Sequence, residues 1–289
     1  MLDLRGTRSQ ADAVFRWLAI GAAAMVLLVL GMIALVMTNR AGPVFKAMGF
    51  DFLTTTRWSP ADALYGALPF LWGTLYTSLI AIAIALPVSL GVAMFVTQVA
   101  PMKWRRPLIY VLDLLAVIPS VVFGLWGILV LGPHLGRSFL TAGIILAIMI
   151  TPIITSLSRE VIETTPKGEK EAALALGATH WEMIWGAVWP HSKGGVVGAV
   201  MLGLGRAMGE TIAAALVIGS ALGQITVNIM APGNSMPAVI ANEWGEADAL
   251  HKSALIALAV VLFVITIAVN LVATSIVRRS MARNRGKSS

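Results

Sequence analysis

Six stretches of this chain, 17–37, 72–96, 108–131, 139–157, 194–218 and 254–277, are each 19 to 25 residues long and almost free of charge. A helix that crosses a hydrocarbon core of about 30 Å needs ~20 such residues. A water-soluble domain cannot hide six of them. With 58% of residues hydrophobic and 12% charged, against roughly 25% charged in soluble domains, the chain reads as all-α: a polytopic membrane protein with six transmembrane helices. The first stretch exceeds the roughly 7 to 15 residues of a signal-peptide core, and no small-residue cleavage pattern follows it. It reads as an uncleaved anchor.

The net charge of +7 and pI near 10.1 raise the question of nucleic acid, but the basic residues flank the apolar stretches instead of forming a patch of their own. Placing the N-terminus inside puts fifteen Lys and Arg on the inner side, among them Arg5, Arg8, Lys103, Arg105, Lys167, Lys193 and the Arg-rich tail to Lys287. Five (Arg40, Lys46, Arg57, Arg137, Lys252) fall outside, and Arg206 lies within a span. Translocated short loops are depleted of positive charge, so both termini are expected in the cytoplasm, in an inner or plasma membrane. The tail is expected against anionic lipid, with no nucleic-acid partner.

Several chemistries are missing from the sequence. There is no cysteine, hence no thiolate nucleophile or disulfide. No GxxxxGK[ST] is present for nucleotide hydrolysis and no HExxH for zinc; His134, His180, His191 and His251 lack ligand spacing. Neither catalytic residues, a metal nor a cofactor is expected. The glycines of 203–209 superficially resemble a dinucleotide fingerprint, but the last falls one place late and no strand precedes them.

Two segments outside the spans are long enough to hold structure. The outer one, 38–71, has turn signals at Gly42-Pro43 and Ser59-Pro60 with interface aromatics such as Trp58 and Tyr65, and reads as a partly ordered cap. The inner one, 158–193, is punctuated like two short helices. Thr165 with Pro166 suits the start of the first, and Gly177 its left-handed end. Thr179 and Glu182 have capping-box spacing for the second, and Pro190 marks its stop. Trp181, Ile184, Trp185 and Val188 give that second helix a face to bury.

Inside the spans, Arg206 and Glu210 form the only opposite-charge pair at helical spacing. Arg206 stands about 18 Å along a helix from Gly194, near mid-membrane, where a charge is costly and marks a pathway or a partner. Gly203, Gly205 and Gly209 strip bulk from the same helix; Gly205-xxx-Gly209 suits either close helix approach or backbone lining a path. Asp113 is near enough to its span's end to reach the interface, and Pro87, Pro119 and Pro152 are expected to kink their helices.

The run Glu171-Ala172-Ala173, with Gly177 and Pro190 after it, resembles the EAA loop of binding-protein-dependent ABC importer permeases; Ala187 and Trp189 stand where Ile and Leu are usual in that family. The phrase Gly205-Arg206-Ala-Met-Gly209-Glu210-Thr211 resembles phosphate-specific permeases, of the PstC more than the PstA type. Ile118-Pro119 through Gly124, Asp51 through Leu53, Trp58 through Pro60 and Ala231 through Asn234 support the likeness, which covers most of the chain from Phe50 onward.

The resemblance implies a MetI-like fold, with residues 1–71 an anchor helix and outer loop and 72–289 the permease domain. It also implies a PstA-like partner permease, two copies of a PstB-like ATPase and a PstS-like phosphate-binding protein. Glu171, Ala172, Ala173, Gly177 and Pro190 would then serve ATPase coupling, while Arg206, Glu210, Gly205, Gly209 and Thr211 would line the phosphate path. Rival readings are a permease for another oxyanion, an ion-coupled secondary transporter, for which no inverted repeat is seen, and a membrane enzyme, for which a single Arg/Glu pair is thin.

Overall fold

The computed structural model describes the backbone of residues 10–285 and the side chains of residues 13–275. Arg5, Arg8 and Lys287 lie outside the described residues, as do the side chains of the tail arginines. The elements in order are α1 (Gln10–Met48), α2 (Asp51–Thr54), an antiparallel ribbon of β1 (Trp58–Ser59) and β2 (Leu64–Tyr65), α3 (Leu68–Met94), α4 (Met102–Val117), α5 (Ser120–Trp126), α6 (Gly132–Leu135) and α7 (Phe139–Glu163). The chain continues through α8 (Lys167–Ala175), α9 (His180–Met183), α10 (Trp189–Gly209), α11 (Ile212–Val217), α12 (Met236–Glu243) and α13 (Ala249–Arg285). Wider π-helical turns occupy Phe95–Val99, Gly127–Leu131 and Ile184–Val188.

Four helices, α1, α3 with its π turn, α7 and α13, are each long and apolar enough to cross a membrane. Pro87 and Pro152 lie within α3 and α7 without ending them. The other two expected spans are not single helices. The stretch 108–131 is divided between α4 and the segment beginning at α5, which meet at 88°. Pro119 supplies no N–H and holds Ile118 in an extended conformation (ψ 126°), so the helical ladder stops at Val117 and restarts at Ser120. The stretch 194–218 is α10 and α11, separated at Glu210 and Thr211. Of the six expected spans, four are unbroken helices among the described residues, while 108–131 is a bent pair and 194–218 an interrupted helix.

α3 and α7 form the most extensive helix pair, and α10 lies along α7. Missing side chains allow the approach: a Cβ on Gly143 would meet Ile80 at 2.4 Å, and one on Gly195 would meet Val161 at 2.4 Å. α1 packs mainly on α13. The irregular segment 218–235 closes one end of this bundle. Its Ala231 and Ile229 carbonyls accept from the N–H groups of Phe139 and Leu140 (3.1 and 2.8 Å), filling donors that the start of α7 would leave unpaired. Trp72 and Tyr76 of α3 pin it by bonds to the Thr226 and Val227 carbonyls (3.0 and 2.6 Å).

The 38–71 segment is an ordered cap. α1 continues to Met48, and Phe52, Trp58, Tyr65 and Phe70 bury with Val44 against α12 and the first turns of α13. One carboxylate organises the polar side of this cluster. Glu243 Oε2 accepts from the Trp58 indole at 2.9 Å and lies 2.8 Å from His251 Nε2, while Tyr65 stacks on the His251 ring at 5.5 Å. Burial, and then the charges of Asp248 and Glu243, push the Tyr65 phenol above its ordinary value. Removing the shared acceptor strands two buried groups at a cost of about 1–3 kcal/mol each. Glu243→Ala is expected to lower the thermal midpoint by several degrees and expose the Trp58 fluorescence to quencher, whereas an unchanged midpoint would mean that the cap is held by apolar packing alone.

Candidate substrate path and coupling loop

α10 carries the charged segment. Ala199, Gly203 and Ala207 recur every fourth residue and bury against α7, where a Cβ on Gly203 would meet Ile154 at 2.6 Å. Arg206 and Gly209 turn away from that seam and are exposed, and Gly205 is half-buried. No atom lies within 4 Å of a Cβ built on Gly205 or Gly209. Gly203 is thus the packing glycine, and the Gly205-xxx-Gly209 stripe borders open space.

The helix stops just past Arg206. Glu210 takes an extended conformation (φ −70°, ψ 123°), its N–H reaching back to the Ala207 carbonyl at 3.4 Å. The Thr211 hydroxyl donates to the Gly209 carbonyl at 3.3 Å, and α11 begins at Ile212. Sequence spacing placed Glu210 one turn beyond Arg206 as its partner. The break removes that turn, and no ion pair joins the two among the described residues. Arg206 instead occupies the last turn of α10, where the negative end of the helix dipole favours a cation. Both charged groups are therefore left without an ion-pair partner among the described residues, beside an interruption of the backbone.

The 158–193 segment begins later than its sequence implies, because α7 continues to Glu163. Thr165 does not cap α8: Pro166 takes that position without a side-chain bond, and the Thr165 hydroxyl is buried without a partner. α8 carries Glu171, Ala172 and Ala173 and closes at Gly177, whose φ of +86° is the left-handed conformation favoured by glycine. Bonds from the Gly177 and Ala178 N–H groups to the Leu174 and Ala173 carbonyls (3.0 and 3.2 Å) complete the turn.

The Thr179/Glu182 capping box is present in both directions: Thr179 N–H to Glu182 Oε2 at 2.8 Å, and Glu182 N–H to the Thr179 hydroxyl at 3.3 Å. The Thr179 N–H, and after it the Thr179 hydroxyl, which also donates to Glu182 Oε2 at 2.8 Å, hold the Glu182 carboxyl below the usual carboxylate range. Their contribution is present above the ordinary carboxylate pKa and fades as pH falls through the depressed one.

Pro190 does not end the second helix. From His180 the chain is helical through the π turn at Ile184–Val188 and on to Gly209. The widened turn lies where a proline ring would clash with the preceding carbonyls, and the Ser192 hydroxyl takes the Val188 carbonyl at 2.8 Å. The expected apolar face divides in two. Ile184, Val188 and Met183 bury against Ala93 and Ile162. Trp181 and Trp185 stay exposed, forming with Trp189 an edge-to-face ladder at 5.7 and 5.8 Å. Between the two arms Glu169, Ala172, Ala173, Leu176, Ala187 and Pro190 line a groove, and Leu176, 89% exposed, forms its tip. Sequence reasoning missed this tip, since only the turn geometry makes Leu176 project.

A helical membrane chain with an unpaired Arg and Glu at a break in one span, continuous with an exposed helical knob, has the build of a transport permease. The chain belongs to the binding-protein-dependent transport system inner membrane component family, whose pattern matches residues 85–282. It is 41% identical to the "Phosphate transport system permease protein PstC" of Xylella fastidiosa (strain Temecula1), over 98% of this chain and 95% of the relative. The protein of the same name from Mesorhizobium japonicum is 39% identical, over 94% and 91%.

Among solved structures, a chain of the inward-facing MetNI methionine ABC transporter aligns with TM-score 0.57 and 19% identity, covering 73% of this chain and 92% of that one. A chain from a bacterial ABC transporter importing alginate aligns with TM-score 0.61 and 14% identity, over 94% and 99%. These two likenesses establish the MetI-like ABC permease fold.

The two sets of glycines separate packing from pathway. Gly203→Val is expected to force α10 off α7 and lower the thermal midpoint of the chain markedly, while Gly205→Ala, with open space to receive its methyl group, leaves the midpoint unchanged or raised. Equal losses in both variants, read by thermal unfolding in detergent, would contradict the geometry.

Proposed function

We propose that this chain is a permease subunit that moves inorganic phosphate across the membrane, driven by ATP hydrolysis on a separate chain. The observation that carries the reading is one unbroken helix. It runs from the His180 end of the knob to Gly209, about 45 Å at 1.5 Å per residue, so a displacement of the knob is delivered to Arg206 without an intervening joint. The knob's exposed surface, Glu171, Ala172, Leu176 and Gly177, is the surface we assign to a PstB-like ATPase, present in two copies. A PstA-like permease would complete the path and a PstS-like protein would deliver substrate, as the family resemblance implies. Residues 1–71 would form the anchor and cap, and residues 72–289 the permease domain.

In this reading Arg206 contacts the anion. A guanidinium offers two parallel donors matched to an oxyanion, a fork that lysine lacks. Phosphate near neutral pH keeps a proton that sulfate does not, and the unpaired Glu210 carboxylate is suited to accept it, favouring phosphate over a fully deprotonated rival. Gly205, Gly209 and Thr211 leave room and a hydroxyl beside them.

The test is uptake by the assembled complex in vesicles, using a variant that bypasses the binding protein. Arg206→Lys is expected to reduce phosphate uptake roughly tenfold or more, the loss of one charge-assisted bond, with assembly intact. Glu210→Gln with retained uptake but weaker rejection of sulfate fits proton recognition. In the same vesicles Gly177→Val, strained in its left-handed turn, uncouples ATP hydrolysis from uptake. An assembled Arg206→Ala complex transporting at the unmodified rate overturns the site.

The charge count supports placing both termini in the cytoplasm and Asn234 outside. With no native cysteine, impermeant maleimide applied from outside is expected to label a cysteine introduced at the exposed Gln224 of the same outer segment, Asn234 itself being buried, and to spare one at 289; the reverse pattern inverts the topology.

A further inference from the structure

Away from the path, a groove of about 590 Å3 lies between the end of α1 and the start of α13, lined by Asn39, Arg40, Pro43, Trp244, Lys252 and Ile256, among others. Arg40 comes 23 residues after Trp17 in one helix, about 35 Å along its axis. The groove therefore sits in the headgroup layer opposite the start of α1. It is built on a helix defect. Pro43 has no N–H, so the Asn39 carbonyl loses its helical donor. The Ser253 hydroxyl enters the opened ladder, donating to the Arg40 carbonyl at 2.9 Å and accepting from the Val44 N–H at 3.4 Å.

The charges of the groove are unsatisfied. Arg40 and Lys252 are both exposed, and neither belongs to an ion pair among the described residues. Two neighbouring acids are engaged elsewhere: Glu243 with Trp58 and His251, Asp248 with the His251 N–H at 2.8 Å. Glu246 is not part of the lining. The remaining walls are largely apolar, from Pro43, Ala249 and Ile256, with the half-exposed Trp244 at the rim. Two free cations above an apolar slot, with an indole at the interface, match an amphiphile that carries a phosphate.

We propose that this groove binds an anionic phospholipid of the leaflet opposite the N-terminus. Arg40 and Lys252 hold the phosphodiester oxygens, Trp244 sits beside the glycerol, and an acyl chain descends past Ile256. A free phosphate ion shares the headgroup chemistry, but the apolar walls offer a hydrated ion nothing. The lipid would tie the anchor helix to α13 where Pro43 weakens α1. This site stands independently of the substrate assigned to Arg206.

The test uses the full chain in nanodiscs of phosphatidylcholine or of an equal mixture with phosphatidylglycerol, reading retained lipid by native mass spectrometry and the thermal midpoint. The unmodified chain is expected to retain phosphatidylglycerol with roughly tenfold preference and to gain stability from it. The double change Arg40→Gln and Lys252→Gln abolishes the preference while leaving the midpoint in pure phosphatidylcholine unchanged. The charge-preserving pair Arg40→Lys and Lys252→Arg keeps it, and Lys252→Gln alone weakens it severalfold.

The proposal is overturned if the unmodified chain shows no preference, or if the double variant retains it. Equal destabilisation of the double variant in both lipids would make the charges structural and overturn it too. Displacement of the bound lipid by inorganic phosphate would define a free-ion site and reject the lipid.

Discussion

In hydrocarbon, a backbone N–H or C=O without a partner costs several kcal/mol, and this constraint orders the whole chain. It makes every span helical and demands a remedy at each interruption. Beside Pro43 in α1, the Ser253 hydroxyl bridges the Arg40 carbonyl and the Val44 N–H. Where Pro190 would break the helix leading into α10, a π turn widens it instead. At the start of α7, the carbonyls of the 218–235 segment replace the missing turn. The interruption at Glu210 and Thr211 differs: it borders open space at Gly209, holds the Glu210 carboxylate and follows Arg206 by one helical turn, neither charge being in an ion pair among the described residues. Irregular backbone at membrane depth is stable where it is buried in protein or lines water.

The helix from His180 to Gly209 connects that interruption to the knob, and its packing determines what moves with it. Gly195 and Gly203 lock it to Val161 and Ile154 of α7, while Ile184 and Val188 join it to Ala93 and Ile162. A load on the knob therefore acts on a unit of α7 and the whole α9–α10 helix. Beyond Gly209 the continuous hydrogen-bond ladder ends. Rigidity up to Arg206 and a joint immediately after it is a mechanical arrangement that lets the charged segment change its surroundings while the packed helices keep theirs.

Local chemistry was legible in the sequence and tertiary context was not. Gly177 and the Thr179/Glu182 box were readable because each depends on residues within four positions. The kink expected at Pro119 is present, whereas the stop expected at Pro190 is not. Pro190 proved compatible with a continuing helix, while Pro119 ended one and produced an 88° bend; the difference lies in whether an adjacent wide turn absorbs the ring. Thr165 has the composition of a cap, yet its hydroxyl is buried without a partner. The Trp58–Glu243 bond joins residues 185 positions apart and leaves no local signature. For the candidate site, Arg206 and Glu210 stand out in the sequence by residue type, but a periodicity argument assumes between them the helix that Gly209 and Glu210 end.

The same constraint applies to the outside of the chain. α4 buries none of its residues, and its Asp113 is exposed along with the apolar Leu114 and Val117. Arg206 is exposed about 18 Å along α10 from Gly194, too far for an easy escape to the headgroup layer on that side. Lipid against these charges would cost at least about 2.5 kcal/mol for each, comparable to a large part of the stability of an ordinary domain. Such a cost is avoided if the charged faces meet water or protein. The open stripe at Gly205 and Gly209 beside Arg206 leaves space for either. The fold therefore pairs the backbone of one subunit while leaving its charged surfaces to be met by water or protein, and in the reading proposed above that is where the route for an anion would form.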